Sequence, residues 1–319
     1  MAQPNPSEKR ARADDVMLKV ALVKTVYMTG GDGFLGTLVV GALKKIGYRV
    51  VVYSGDILDA GALRSFVSQM PEGSDLLHFA AMSHPLDCVE KPGLAMSINV
   101  AGTALLLQVL SEGKVLPRIG FASTAQVYSQ DDQVSAPISE SAPVSPQNIY
   151  AQTKLWGERI LEIWTREHSG STTTFRIFNH VHKSQKTRVF LTQVYDQLLK
   201  IRDHNAASVV SVGNLDLVRD IGAVSDLVNA LVSWVETKAE PGYNVFNLCS
   251  GQARTLKSLA DLLAQRLKLN VEFRLDPSKV RQGEPRVLVG DNKSLSTRLG
   301  WKPKIVSDAQ LVESFLEDL

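Results

Sequence analysis

Cysteine is nearly absent: Cys88 and Cys249 are the only two in 319 residues, far apart and without CxxC spacing. That excludes a disulfide framework and gives no sign of a zinc site, so no metal is expected. An excess of one charge is also missing. Lysine plus arginine number 35 and aspartate plus glutamate 33. A protein held to nucleic acid by phosphate neutralisation needs a strong basic excess or patch, so nucleic acid is not an expected partner. Continuous apolar runs such as 50–53 and 104–107 fall far short of the roughly 20 residues that cross a bilayer, and no membrane partner is expected. The first 15 residues are polar, and Val16–Val23 is interrupted by Lys19 and lacks a small-residue cleavage site, which makes a poor signal peptide. No internal repeat or low-complexity tract is present. What is there is 44% hydrophobic and 21% charged, the composition of a soluble chain able to bury a sizeable core. A cytoplasmic protein is expected.

Short β-rich runs alternate with longer helical stretches, which predicts an α/β fold: a Rossmann-like, doubly wound parallel sheet covered on both faces. Strands are expected at Thr25–Thr29, Arg49–Tyr53, Leu76–Ala80, Arg118–Ala122 and Thr172–Ile177. Helices are expected around 35–46, 60–69, 93–112 and 149–167, where apolar residues recur at three- and four-residue steps. In the last of these Ile149, Leu155, Trp156, Ile160, Leu161 and Trp164 read as one stripe. Past 178 the rhythm loosens into HVHKSQKTR and a helix near 190–202. Residues 1–24 read as a lead with little structure and 25–178 as a dinucleotide-binding domain. Residues 179–319 read as a smaller substrate-binding lobe, with parts near 209–250 returning to the first domain.

The run TVYMTGGDGFLG puts Gly30, Gly33 and Gly36 directly after the first strand and at the start of the first helix. Glycine there lets the backbone turn sharply and approach a pyrophosphate at the helix N-terminus. The flanking strand and amphipathic helix supply the context the motif needs. The spacing resembles the T-G-x-x-G-F-x-G signature of extended short-chain dehydrogenases/reductases, the nucleotide-sugar epimerase and dehydratase superfamily. The resemblance spans about 25–305 and implies a cofactor, NADPH or NADH, held by Gly30, Asp32, Gly33, Phe34, Leu35 and Gly36. It also implies contacts from Asp56-Ile57 to adenine, from Phe79, Ala80 and Ala81 along the cofactor channel, and from Asn99 in N-V-x-G-T. Asp56 has a second reading, as the N-cap of the helix at 60–69. The second strand ends in Tyr53-Ser54, with neither an acid for a ribose hydroxyl nor a base for a 2′-phosphate, so NAD and NADP stay open. His78 reads as a packed, hydrogen-bonded histidine.

Tyr150 and Lys154, in YAQTK, lie four residues apart and therefore on one helix face. A lysine ammonium and a bound cofactor's positive charge together can lower a tyrosine pKa, which would let Tyr150 exchange a proton with a carbonyl or hydroxyl. Upstream, FASTAQVYS resembles the family's S-S/T-A-x-V-Y-G, and its catalytic hydroxyl falls on Thr124. The catalytic set implied is Thr124, Tyr150 and Lys154, with Tyr150 and Lys154 also touching the cofactor. Family 4,6-dehydratases carry an acid–base glutamate two residues after that threonine. Here Gln126 has no usable pKa, which disfavours dehydration.

On the substrate side the resemblance adds Ser83, Thr124, Gln126, Asn179 and His180, the last two from RIFNH, where Arg176 braces the loop. VGNLDLVRDIGAVSD resembles the signature of the GDP-mannose 4,6-dehydratase and GDP-4-keto-6-deoxymannose reductase group. Arg219 is then a diphosphate contact, and Arg281 and Glu284 match R-P-x-E, where the arginine clamps phosphate. Otherwise Arg219 would form an ion pair with Asp220 or Asp226. The expected activity is NAD(P)H-dependent reduction of the C4 keto group of a nucleotide-diphosphate 4-keto-6-deoxy sugar, most simply GDP-linked. A nucleotide-sugar epimerase with tightly bound NAD is the neighbouring alternative, and a non-catalytic cofactor-binding protein the alternative from another class. The helices at 93–112 and 149–167 carry apolar residues on more than one face, including Leu105, Leu106, Leu107, Trp156 and Trp164. The resemblance, in which related enzymes pair these helices across a two-fold axis, implies a homodimer.

Overall fold

The structure, a computed structural model, describes residues 24–129, 137–185, 189–204, 208–280 and 284–317. Strand β1 (Thr25–Thr29) leads through α1 (Phe34–Lys45) to β2 (Arg49–Tyr53), and α2 (Ala60–Val67) leads to β3 (Asp75–His78). Two short helices follow, α3 (Pro85–Glu90) and α4 (Pro92–Met96). A π turn, Ser97–Ala101, then runs on into α5 (Gly102–Glu112). Next come β4 (Arg118–Thr124), α6 (Ile149–His168) and β5 (Ser171–Ile177). The chain then builds β6 (Asn179–Val181), α7 (Phe190–His204), β7 (Val209–Val212) and β8 (Val218–Ala223). It returns through α8 (Val224–Glu236) to β9 (Gly242–Leu248). The last part comprises β10 (Ala253–Thr255), α9 (Leu256–Arg266), β11 (Glu272–Leu275), β12 (Val287–Leu288), α10 (Lys293–Leu299) and α11 (Asp308–Glu317).

The large sheet is parallel, in the order β2-β1-β3-β4-β5-β9. Successive side chains of a strand face opposite sides, and here both sides are covered. Val26 and Met28 join Val39, Leu43, Leu231 and Trp234 on one face. Tyr27 joins Leu63, Phe66, Leu106, Ile119 and Leu161 on the other. Even the threonine run of β5 is buried, because its hydroxyls are matched: Thr172 donates at 2.7 Å to Thr165, whose own proton goes to the Leu161 carbonyl, and Thr173 accepts from the Trp234 indole at 3.0 Å. The strand order reverses between β1 and β3, which opens a crevice beyond their carboxyl ends.

The smaller lobe has its own core, with Leu191, Val194, Leu198, Val210, Leu259 and Phe315 among its members. Of the segment 209–250, β7 stays in this lobe, paired with β11, and only α8 and β9 rejoin the large sheet. Helix α6 does not carry one apolar stripe. Leu161 and Trp164 turn inward, whereas Trp156 is 39% and Ile163 46% exposed. Leu106 and Leu107 are likewise inside, and the apolar groups left outside are Leu86, Val89 and Leu94 beside Trp156 and Ile163. By length and composition Pro92–Glu112 could cross a membrane. In this fold it lies against the sheet, burying Ala95, Leu106, Leu107 and Leu110.

Candidate active site

The crevice holds a cavity of about 750 Å³ that runs from the glycine turn to the smaller lobe. Gly30 has φ +70°, and a Cβ there would lie 2.5 Å from the Ala80 nitrogen; a Cβ on Gly36 would lie 2.1 Å from the Gly30 carbonyl oxygen. Only glycine lets β1 turn this tightly against the end of β3. Gly33 caps α1 without a side-chain bond, so the first-turn N–H groups face the cavity at the positive end of the helix. The cradle therefore fits the pyrophosphate of a dinucleotide. Phe34, Leu35, Phe79, Ala80, Ala81 and Ser83 line the same cavity.

Four residues implied for the cofactor, Asp32, Asp56, Ile57 and Asn99, do not line this cavity. Asp32 and Asp56 are exposed outside the cavity, and Asn99 is buried beneath it. Asp56 does not cap α2. Its carboxylate accepts from Leu58 N, and Asp59 makes the cap through Gly61 N and Ala62 N. Ile57 is buried against Gly102.

Thr124, Gln126, Tyr150 and Lys154 meet on one wall. Thr124 ends β4, and its side chain comes close enough to the Tyr150 hydroxyl to favour the ionised form. The Lys154 ammonium lies 4.1 Å from the centre of the Phe121 ring, a contact that offsets part of the cost of burying the charge. Burial pushes the Tyr150 hydroxyl up to about 12, with the Thr124 side chain opposing. Burial pulls Lys154 down to about 7, with Glu158 opposing. The lowering of Tyr150 is expected of the enzyme with its cofactor's positive charge in place; in the protein by itself desolvation disfavours the charged form of each group.

Beneath this wall, polar groups are fully matched. The Asn99 amide accepts from Met82 N at 2.7 Å and donates to Met82 O and to the Thr153 hydroxyl, which donates to the Tyr150 carbonyl at 2.7 Å. Asn99 therefore supports the start of α6. His78 bridges Thr29 and Thr103 and is held neutral, its pKa lowered to about 3 by burial and then by Lys154. Thr103 gives its one proton to the Asn99 carbonyl, so His78 Nε2 carries the ring proton and Nδ1 accepts from Thr29. Sequence reasoning missed Glu158. It lies four residues past Lys154, buried, accepting from Ser123 and from both Arg176 Nε and Nη2.

At the far end Arg219, 4% exposed, faces Glu284 at 3.0 Å, and both line the cavity. Neither neighbouring acid pairs with Arg219. Asp220 accepts from Ser250, Gly251 and Gly290, and Asp226 from Lys304 N and Ile305 N. Asn179 and His180 line the cavity, and His180 stacks on Phe34 with ring centres 6.1 Å apart. Arg281 lies outside the described residues. The motifs gave no hint of Gln193 or Gln197, which also line this end, and Asn214 of the GNLDLVRD run lies there with them. Among the described residues no group of three His, Cys, Asp or Glu side chains is placed to hold a metal.

A family profile described as GDP-mannose 4,6 dehydratase matches residues 44–314. The chain belongs to this family. It is thereby one of the NAD(P)-dependent nucleotide-sugar enzymes of the epimerase/dehydratase superfamily. GDP-6-deoxy-D-mannose reductase of Pseudomonas aeruginosa is 27% identical over 288 residues, covering 89% of this chain and 93% of that protein. UDP-glucose 4-epimerase of Streptomyces lividans is 27% identical over 313 residues, covering 88% of this chain and 94% of that protein. The structure of RMD from Pseudomonas aeruginosa complexed with NADPH superposes with a TM-score of 0.83 at 26% identity, over 92% of this chain and 98% of that one.

Proposed function

We propose that this enzyme reduces the C4 keto group of a nucleotide-diphosphate 4-keto-6-deoxy sugar, GDP-linked, with NAD(P)H. The observation that carries the reading is the cavity wall that Thr124 and Tyr150 share with Gln126, a position with no titratable proton. The Pseudomonas reductase and the NADPH complex support it. The glycine turn with Phe34, Leu35 and Ala80 would hold the dinucleotide, and Lys154 its nicotinamide ribose. NAD(P)H, when bound, supplies the hydride that C4 accepts.

Tyr150 Oη gives its proton to the keto oxygen, the ketone becomes a secondary alcohol, and solvent returns a proton to Tyr150. A hydroxyl whose pKa burial pushes up to about 12 is protonated at neutral pH, as a general acid toward a ketone must be. Thr124 steadies the reacting oxygen, and Lys154 compensates the charge left on Tyr150. Arg219 faces the substrate diphosphate through a guanidinium fork suited to phosphate oxygens. Gln126 removes the acid–base carboxylate that a 4,6-dehydratase uses, although the family profile carries that name.

The several UDP-glucose 4-epimerase relatives favour one alternative, an epimerase that keeps its NAD. Purified protein separates the two. Bound NAD surviving gel filtration marks an epimerase, and stoichiometric NAD(P)H consumption with a GDP-4-keto-6-deoxy sugar marks a reductase. We further propose a cytoplasmic homodimer, packed through the exposed apolar groups of α4 and α6.

A further inference from the structure

Gln126 sits two residues past Thr124, in the 3-10 turn Ala125–Val127 that Thr124 begins, and it lines the cavity with Thr124 and Tyr150. Its amide is not free to turn. Asn148 is the N-cap of α6, and its Oδ1 accepts from Ala151 N at 2.9 Å. A backbone N–H only donates, so this bond fixes the end of the Asn148 amide that faces the helix. The other end, Nδ2, donates to Gln126 Oε1 at 2.9 Å. Gln126 must therefore turn its NH2 away from Asn148, and that NH2 has no protein acceptor among the described residues.

We propose that Gln126 Nε2–H donates to an oxygen of the bound hexose beside the reacting carbon, and that Asn148 imposes this polarity. The inference rests on the nucleotide-sugar reading of the cavity. A donor locked in one orientation pairs with an oxygen that must accept, a carbonyl or a hydroxyl whose own proton is committed elsewhere. It rejects a sugar with no oxygen at that position, because the NH2 would then be left unpaired. Gln126 is the binding residue, and Asn148 is a positioning residue that acts through it. The cap of the catalytic helix and the reading of the sugar thus share one side chain.

Two substitutions separate these roles. Gln126→Leu removes the donor. Asn148→Asp keeps the cap, since aspartate is an equally good N-cap, but its carboxylate can only accept. Gln126 would then rotate to donate to residue 148 and present Oε1 to the sugar. The measurement is titration calorimetry on NADP⁺-saturated protein, with GDP-mannose, UDP-glucose, GDP and UDP as probes. Each single variant should bind the preferred nucleotide sugar about three- to tenfold more weakly while binding the matching free nucleotide as wild type does, which also reports an intact fold. The double variant should be no weaker than Gln126→Leu. Wild-type affinity for the nucleotide sugar in either single variant would overturn the proposal, as would equal losses for sugar and free nucleotide. Wild-type protein that binds neither nucleotide sugar would overturn the nucleotide-sugar reading itself and the proposal with it.

Discussion

Lys154 follows Tyr150 by one turn on the buried face of α6, its ammonium 4.1 Å from the centre of the Phe121 ring. The two side chains are driven in opposite directions by the same burial, the tyrosine up to about 12 and the lysine down to about 7. Together they present a protonated hydroxyl beside a cation that is easily discharged.

Tyr150→Phe keeps the ring and removes the proton. Turnover should fall by about 10²–10⁴, with NADPH affinity by fluorescence titration nearly unchanged. Retention of more than about a tenth of wild-type turnover, where chemistry limits the rate, would exclude Tyr150 as the acid.

His78 makes stability depend on acid. Its pKa lies at about 3 in the fold against an ordinary 6.5. Between those values the unfolded chain binds a proton that the folded chain refuses, so stability present above pH 6.5 is lost as pH falls toward 3. The full loss is on the order of 5 kcal/mol. Urea unfolding from pH 7 to pH 5 should show a slope for wild type steeper than for His78→Gln by nearly one proton. The variant will be the less stable of the two at pH 7, because glutamine cannot bridge Thr29 and Thr103 as the ring does.

Arg219 contributes through charge. Arg219→Ala should weaken nucleotide-sugar binding by about ten- to a hundredfold, and Arg219→Lys should restore only part of it, lacking the fork. NADP⁺ binding, measured in the same titrations, should not change.

The exposed apolar groups of α4 and α6 predict association. Trp156→Glu would replace the indole with a charge on the apolar surface that Leu94 and Ile163 also form, and should shift the mass seen by light scattering at micromolar concentration from dimer to monomer. A monomeric wild type would exclude the dimer.

Five strands of the large sheet were legible as short β-rich runs bounded by turn residues, while β9 was foreseen only as part of a segment returning to the first domain. The Tyr150–Lys154 pair was legible because four residues make one helical turn. Gly30 and Gly36 were legible as a turn, though not as the place where β1 meets Ala80. The smaller lobe was not. Its strands span only two to six residues, and β8 finds partners as distant as β6, β10 and β12. Glu158 was invisible for a related reason. A glutamate on a helix reads as surface, and its burial depends on Ser123 and Arg176 arriving from other strands. Trp156 and Trp164 look alike in sequence, and only the packing tells the inward one, whose indole donates to Ser111 at 2.8 Å, from the outward one.

The most direct measurement is a single-turnover reaction of wild-type protein with a GDP-4-keto-6-deoxy sugar and NADPH or NADH, following absorbance of the reduced nicotinamide and the sugar product by NMR. Reductase chemistry at Tyr150 predicts one reduced cofactor consumed per C4 alcohol formed, with the Tyr150→Phe variant inert. Interconversion of C4 epimers with no net loss of NAD(P)H, or no reaction with any 4-keto sugar under conditions where the cofactor binds, would contradict it.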